Sequence, residues 1–390
     1  VRSRRQRQMC IRDRAADKQV VILSSSIISP STKAVIDAFA TKYNAKHVTY
    51  DALSASSMLD ANKESFGVRA LPTYHFDKAD VVVSFAADFI GDWLDAGHGK
   101  AYAVKRNLNS GTMSRHYQFE SNLSLTGANA DYRTPVKASE MGVALLNLYN
   151  ILAKKAGAAT VNVAVSDYST QLQKAANDLW NAKGKSLVVA GGNDKNIHIV
   201  INAINDLLSN NGTTVDFTKQ SYLKQGNDAH VASLLNDMKA GKVDMSVSFA
   251  TKKDETAALM NFVCPDNHYM ESWGDANPYT GVYALVQPTI NTLFNTRQAQ
   301  ASLMSWTGLG ADYYSYVKNY WNKNVLGSSS WNTALHDGVF TLNVSEKPVS
   351  NNASIAKASV ALSNLSSDAI DLVLYSKTGI GSGEFSNNPW

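Results

Sequence analysis

Val20-Val21-Ile22-Leu23-Ser24-Ser25-Ser26-Ile27-Ile28-Ser29-Pro30-Ser31-Thr32-Lys33-Ala34-Val35-Ile36-Asp37-Ala38-Phe39 holds a strand, a turn and a helix start in succession, and so sets the fold class. A short β-branched run, Val20 to Leu23, breaks into the hydroxyl-rich turn Ser24 to Ser26. Ser29-Pro30-Ser31-Thr32 then leads into an amphipathic helix through Phe39, with Pro30 tolerated in the first helical turn. His47 to Tyr50 reads as the next strand, ending at Asp51. A helix over Ser56 to Phe66 follows, and Asp80 to Phe85 is a third, buried strand. Short apolar runs alternating with helical stretches imply a parallel sheet with helices on its faces.

The same opening recurs about 165 residues later: Ser186 to Ala190 as strand, Gly191-Gly192-Asn193-Asp194 as tight turn, Ile197 to Leu208 as helix. Between the two openings, Met113 to Ala130 reads as extended segments and loop. Ser139 to Ala156 and Tyr168 to Ala182 read as helices, the second stopped at Gly184. Downstream, the pattern predicts a helix over Asp228 to Ala240 closed by Gly241, a strand over Val243 to Phe249 and a helix over Asp254 to Phe262. Val282 to Val286 is a strand, Arg297 to Trp306 and Asp312 to Trp321 are helices, and strands return near Ser359 to Leu362 and Leu372 to Tyr375. The expected class is α/β, with two lobes of mainly parallel sheet flanked by helices. Its expected divisions are a tail (1–17), a first lobe (18–135), a helical connection (136–183), a second lobe (184–300) and a helical and β extension (301–390).

Apolar residues at 44% and charged residues at 18% of 390 exclude a disordered chain. No apolar run approaches the ~20 residues that span a bilayer. The net charge of +4 is uneven, because six arginines and one acid give Val1 to Arg14 a local charge of +5 and leave the remainder at −1. The basic balance therefore belongs to that tail, which resembles adapter read-through more than an export signal, and nucleic acid is not an expected partner. Only Cys10 and Cys264 are present, so neither a disulfide framework nor a cysteine-ligated iron–sulfur cluster can be built from this chain.

Both strand–turn–helix openings would aim backbone N–H groups from a helix N-terminus, where anions are attracted. Ser24, Ser25 and Ser26 with Gly191, Gly192, Asn193 and Asp194 are thus candidate phosphate contacts of a nucleotide, and Asp51 a candidate ribose or guanine contact. Neither loop is a GxGxxG or Walker sequence, and ordinary helix caps and a solvated turn acid are the competing readings. His268, Glu271 and Asp275 have metal-ligand chemistry without metal-helix spacing, so a loop with a buried Trp273 and hydrogen-bonded acids competes. Arg115, His116, Glu120, Asp131 and Arg133 form a polar cluster suited to locking loops together. Trp306, Tyr313, Tyr314, Tyr316, Tyr320 and Trp321 at helical spacing read as core or interface.

Cys264-Pro265-Asp266-Asn267-His268-Tyr269-Met270-Glu271-Ser272-Trp273-Gly274-Asp275 resembles a segment of the molybdopterin-oxidoreductase superfamily. Phe119-Glu120-Ser121, Leu125 to Arg133, Ser246 to Phe249, Asp254-Glu255-Thr256, Gln287 to Ile290 and Asn295 to Gln298 narrow it. Together they resemble the large iron–sulfur subunit of bacterial alternative complex III, of the Bacteroidetes type, over about Lys18 to Trp390. That resemblance implies a molybdoenzyme-like scaffold without its own molybdenum site and with no catalytic residue, in a respiratory quinol-oxidising assembly. It implies quinol-binding membrane subunits and a multihaem cytochrome c as partners, at the periplasmic face of the inner membrane, with the export signal missing from this sequence. Iron–sulfur clusters are expected in a ferredoxin-like half absent here, and this part carries no cofactor. The alternative is a catalytic molybdopterin-dinucleotide oxidoreductase fragment of the polysulfide or thiosulfate reductase kind. Three departures stand out: the cysteines of the ferredoxin-like half are absent, no residue matches a molybdenum ligand, and a strand–loop–helix unit expected near Asp244 is missing.

Overall fold

The computed structural model describes residues 18–111, 113–345, 348–364, 370–377 and 379–383. The tail through residue 17, with Cys10, lies outside them. The strands through the middle of the chain are β1 (Val21–Ser24), β2 (Lys46–Thr49), β3 (Leu71–Tyr74), β4 (Val81–Phe85), β5 (Arg115–Glu120), β6 (Tyr132–Pro135), β7 (Ser186–Ala190) and β8 (Val215–Ser221). Beyond them come β9 (Val247–Ser248), β10 (Phe262–Val263), β11 (Gly274–Tyr279), β12 (Val282–Val286) and β13 (Val339–Thr341). The helices begin with α1 (Pro30–Tyr43), α2 (Ser56–Phe66), α3 (Gly97–Val104), α4 (Leu125–Ala128), α5 (Met141–Ala156), α6 (Ser169–Asn181) and α7 (Lys195–Leu207). They continue with α8 (Asp228–Lys239), α9 (Glu255–Ala258), α10 (Ala299–Thr307), α11 (Tyr313–Asn324), α12 (Trp331–Asp337) and α13 (Ile355–Ser363).

Two compact units interleave along the chain. The first takes the described residues through Tyr50 and 226–343; the second takes 51–225 and the described residues from 344 on. Their bounds differ from the contiguous division at 135, 183 and 300 expected from the order of strand and helix patterns, because the sequence leaves one unit and returns to it.

In the second unit β6-β5-β4-β7 is an all-parallel sheet, and every residue of β4 and β7 is buried. One face carries Val81, Val83, Phe85, Tyr117 and Phe119 against Leu145, Leu148 and Leu152 of α5, Leu172 of α6 and Ile204 of α7. The opposite face carries Val82, Leu187 and Val189 against Phe76, Phe89 and Tyr102. β-Branched strands buried on both faces are what a sheet with helices on each side requires. β3 and β8, distant in sequence, pair antiparallel, an arrangement that periodicity alone did not reveal.

In the first unit β1 pairs parallel with β2, and β9 with β10. β11, β12 and β13 form an antiparallel meander. Its core is aromatic: Trp321 is fully buried, edge-on to Trp331 at 6.2 Å, with Tyr313, Phe39, Val35 and Val317 around it. The dense aromatics of α10 and α11 are thus core.

Four sequence expectations are corrected. Ser359 to Leu362 lies in helix α13, where Ala358 and Leu362 at i, i+4 pack on the α5 side of the second core. Leu372 to Tyr375 is in no regular element. The strand expected over Val243 to Phe249 contracts to the two residues of β9, and the helix over Asp254 to Phe262 to the single turn of α9.

Candidate functional site

Open α/β sheets bind ligands outside the carboxyl ends of their strands. In the second unit these ends carry the loops after β4, β5 and β7. β5 alternates: Tyr117 and Phe119 enter the apolar core, while His116, Gln118 and Glu120 line the other face as a buried polar row. Gln118 Nε2 donates to Glu120 Oε2 at 3.0 Å, so its Oε1 faces His116 Nε2 at 3.3 Å as the acceptor. His116 is then protonated on Nε2, and its Nδ1 accepts from the Tyr102 hydroxyl at 3.1 Å. The hydrogen bonds all run one way, toward the Glu120 carboxylate.

That carboxylate is saturated. Oε1 accepts from Arg133 Nε at 2.6 Å and from the Ser124 amide at 3.2 Å; Oε2 accepts from the Ser124 hydroxyl and from Gln118. Burial would raise its pKa, but the bonds from Ser124, Arg133 and Gln118 outweigh burial and hold it below the usual carboxylate range. Burial lowers the His116 pKa to about 4, so the ring is neutral at pH 7. Gly127 abuts this group: a Cβ there would sit 1.9 Å from Glu120 Oε1, so any other residue would push the carboxylate off its donors.

Of the polar cluster legible in the sequence, His116, Glu120, Asp131 and Arg133 come together. Asp131 accepts from the His116 amide and from both Arg106 terminal nitrogens. Arg115 turns away to Asp178 at 2.7 Å. The loop after β4 is tied in through Asp88, whose Oδ1 accepts from the amide and hydroxyl of Thr126. Neither Asp88 nor Thr126 stood out in the sequence, since a lone acid and a lone threonine carry no pattern.

The loop after β7 is equally committed. Gly191 donates to Phe85 O at 2.8 Å, and a Cβ on it would lie 2.1 Å from Ala86 O. Gly192 has φ +79° and accepts from His198 Nε2. Asn193 accepts from the Ser57 amide and, through its carbonyl, from the Ser57 hydroxyl. Asp194 is the N-cap of α7, accepting from Asn196 N. Asp51, in the same unit, is buried and accepts from the Gln225 amide at 3.1 Å.

Ser24, Ser25 and Ser26 belong to the first unit. Ser24 donates to Ser25 O and bonds His47 Nε2 at 2.8 Å. The cap of α1 is Ser29, directly before Pro30, a start signature that the sequence did contain. At this helix N-terminus sits the chain's own anion: Asp275 Oδ1 accepts from the Ser29 and Ser31 hydroxyls, and its Oδ2 from Trp321 Nε1 at 2.8 Å. A carboxylate is favoured at this end of a helix.

Asp275 is therefore separated in role from His268 and Glu271. Those two close a capping box on the turn Tyr269–Glu271, and Glu271 Oε1 also accepts from Leu293 N. Trp273 is half-buried against Tyr314, with ring centroids 4.5 Å apart. Cys264 is exposed. Among the described residues, no group of three or more His, Cys, Asp or Glu is arranged to hold a metal ion, and no helix is long and apolar enough to cross a membrane.

The class that these elements define is a mixed α/β protein of molybdopterin-oxidoreductase-like fold, with parallel sheets flanked by helices. No family model and no curated protein matches the sequence. Among solved structures, the chain is similar to acetylene hydratase from Pelobacter acetylenicus at TM-score 0.58 and 9% identity, over 87% of this chain and 62% of that one. It is similar to the formyltransferase/hydrolase complex from Methylorubrum extorquens, solved with methylofuran, at TM-score 0.50 and 12% identity, over 77% of this chain and 94% of that one. At such identities the likeness is one of fold.

A pterin dinucleotide is the group that this fold class implies. Of the residues expected to contact it, Ser24, Asp51, Asn193 and Asp194 are bonded to other protein groups, and Gly191 is wedged against Ala86.

Proposed function

We propose that this chain is a scaffold within a structural and electron-transfer subunit of a respiratory, quinol-oxidising membrane complex, with a molybdoenzyme-like shell and no molybdenum site of its own. One observation carries the reading. The carboxyl-end loops of the parallel sheet are cross-braced by internal bonds, Glu120 to Arg133 and Ser124, Asp88 to Thr126, and Asn193 to Ser57. A site that turns over substrate keeps polar groups aimed at a place where reacting atoms can sit; these aim at one another. The shell would then act through its shape, holding a cluster-bearing ferredoxin-like part and a multihaem cytochrome c in fixed positions at the periplasmic face of the membrane. The iron–sulfur clusters would belong to that other part.

The competing reading, a catalytic molybdopterin-dinucleotide oxidoreductase, draws on the fold likeness to acetylene hydratase. Purification of the natural protein from membranes, with metal analysis and haem absorbance, separates the two. The expected result is co-purifying c-type haem and iron with no molybdenum or tungsten. One molybdenum or tungsten per chain would overturn the scaffold reading.

A further inference from the structure

The parallel strands of the first unit are incomplete. Among the described residues β1 pairs only with β2 and β9 only with β10, and no side chain of β1, β9 or β10 is buried. Parallel sheets are ordinarily covered on both faces, and an isolated two-stranded pair is marginal in water. Yet the starts of β1 and β9 lie together, because Lys18 pairs with Asp244, each three residues ahead of its strand. The two strand starts are thus within reach of one side-chain pair, and among the described residues no ladder joins the strands, which leaves room for one strand between them. Strands spaced ~4.8 Å apart would put the outer two ~10 Å apart, a gap that a lysine and an aspartate side chain bridge together.

α8 packs on β2 and leads into β9 through 240–246. Its apolar residues Val231, Leu234, Leu235 and Met238 fall at i, i+3, i+4 and i+7, the stripe of a core-facing helix. None of them is buried; Leu235 is 49% and Met238 42% exposed.

The chain also carries a strand-like segment with no sheet. In Ile370-Asp371-Leu372-Val373-Leu374-Tyr375 exposure alternates: Ile370 is 88%, Leu372 81% and Leu374 85% exposed, while Asp371 and Val373 are half-buried. Asp371 is pinned to Ser139, just ahead of α5, accepting from its amide at 2.9 Å and its hydroxyl at 2.7 Å. The segment is thus held out as an arm with period-two apolar character and no proline or glycine.

We propose that the first unit accepts this arm from a second copy of the chain, as a strand between β1 and β9 lying under the α8 stripe, in a reciprocal exchange. Main-chain bonds to both strands would supply the affinity, and the alternating Ile370, Leu372 and Leu374 the specificity. Such an exchange of identical elements is a low-cost route to a dimer.

Light scattering on the eluting full chain across the micromolar range, with hydrogen exchange, tests the pairing. The expected result is a dimer whose β1 and β9 amides are protected. L372D/L374D, at positions that contribute little to either core, should weaken dimerisation about tenfold or more and expose those amides, with circular dichroism unchanged; L235K should act in the same direction. A single-chain mass throughout the range, with or without protected β1 and β9, overturns the proposal. So does a dimer that L372D/L374D leaves intact.

Discussion

The two sets of parallel strands share a grammar and differ in completion. β4 and β7 are buried at every position, with helices on both faces and neighbours in the sheet. β1 and β9 have the same β-branched composition but one partner each and no buried residue. Apolar content sets a strand's potential, while its neighbours decide how much of that potential becomes stability.

A matched pair of substitutions puts this contrast under the greatest strain. Leu187→Ala in β7 empties a fully buried site and should cost about 3–5 kcal/mol in denaturant unfolding. Leu23→Ala in β1, where the side chain is mostly exposed, should cost less than about 0.5 kcal/mol in dilute solution. Equal costs would end the distinction.

Acid should act on the complete unit through His116. Its folded pKa, about 4, lies below the unfolded value near 6.5, so between these pH values the unfolded chain binds the extra proton. Stability is therefore full above pH ~6.5 and falls by up to about 3 kcal/mol as pH drops to 4. His98 and His198 are also lowered, chiefly by burial, and slope the same way. Unfolding free energy measured against pH should lose part of this slope in His116→Gln, and an unchanged slope would contradict the assignment.

Smaller effects are expected in the first unit. Asp275→Asn keeps the volume but turns an NH2 donor toward the Ser29, Ser31 and Trp321 donors, and should cost about 1–3 kcal/mol, read as a lower Tm with quenched or shifted Trp321 fluorescence. Smallest of all, Leu235→Ala in α8 should change stability by less than about 0.5 kcal/mol in dilute solution, where the chain is a single copy; a larger loss there would mean that the stripe is covered within one chain.

Much of the second unit was legible. The strands over 80–85 and 186–190 and the helices of α2, α5, α6 and α7 fall where periodicity and caps put them. The reason is local consistency: Gly184 at φ +78° and the apolar spacing of α5 both encode what the fold uses. β3 and β8 were missed because Leu71-Pro72-Thr73-Tyr74 and Val215 to Ser221 are short and mix polar with apolar residues. The polar cluster at Glu120 was visible as residue types, but its saturation was not. Which donors reach a carboxylate depends on Ser124, Gln118 and the close approach of Gly127, all set by tertiary geometry. Asp275 was grouped with its sequence neighbour Glu271, whereas its partners Ser29, Ser31 and Trp321 are distant in the chain.

Interleaved units also constrain biosynthesis. The opening strands and helix of the first unit leave the ribosome long before Gly226, where the rest of that unit begins. At ~5–20 residues per second, the 271 residues from Tyr50 to Trp321 leave them about 14 to 54 seconds without their aromatic partners. During translation, Val35, Ile36 and Phe39 are therefore a natural place for a chaperone to hold the nascent chain.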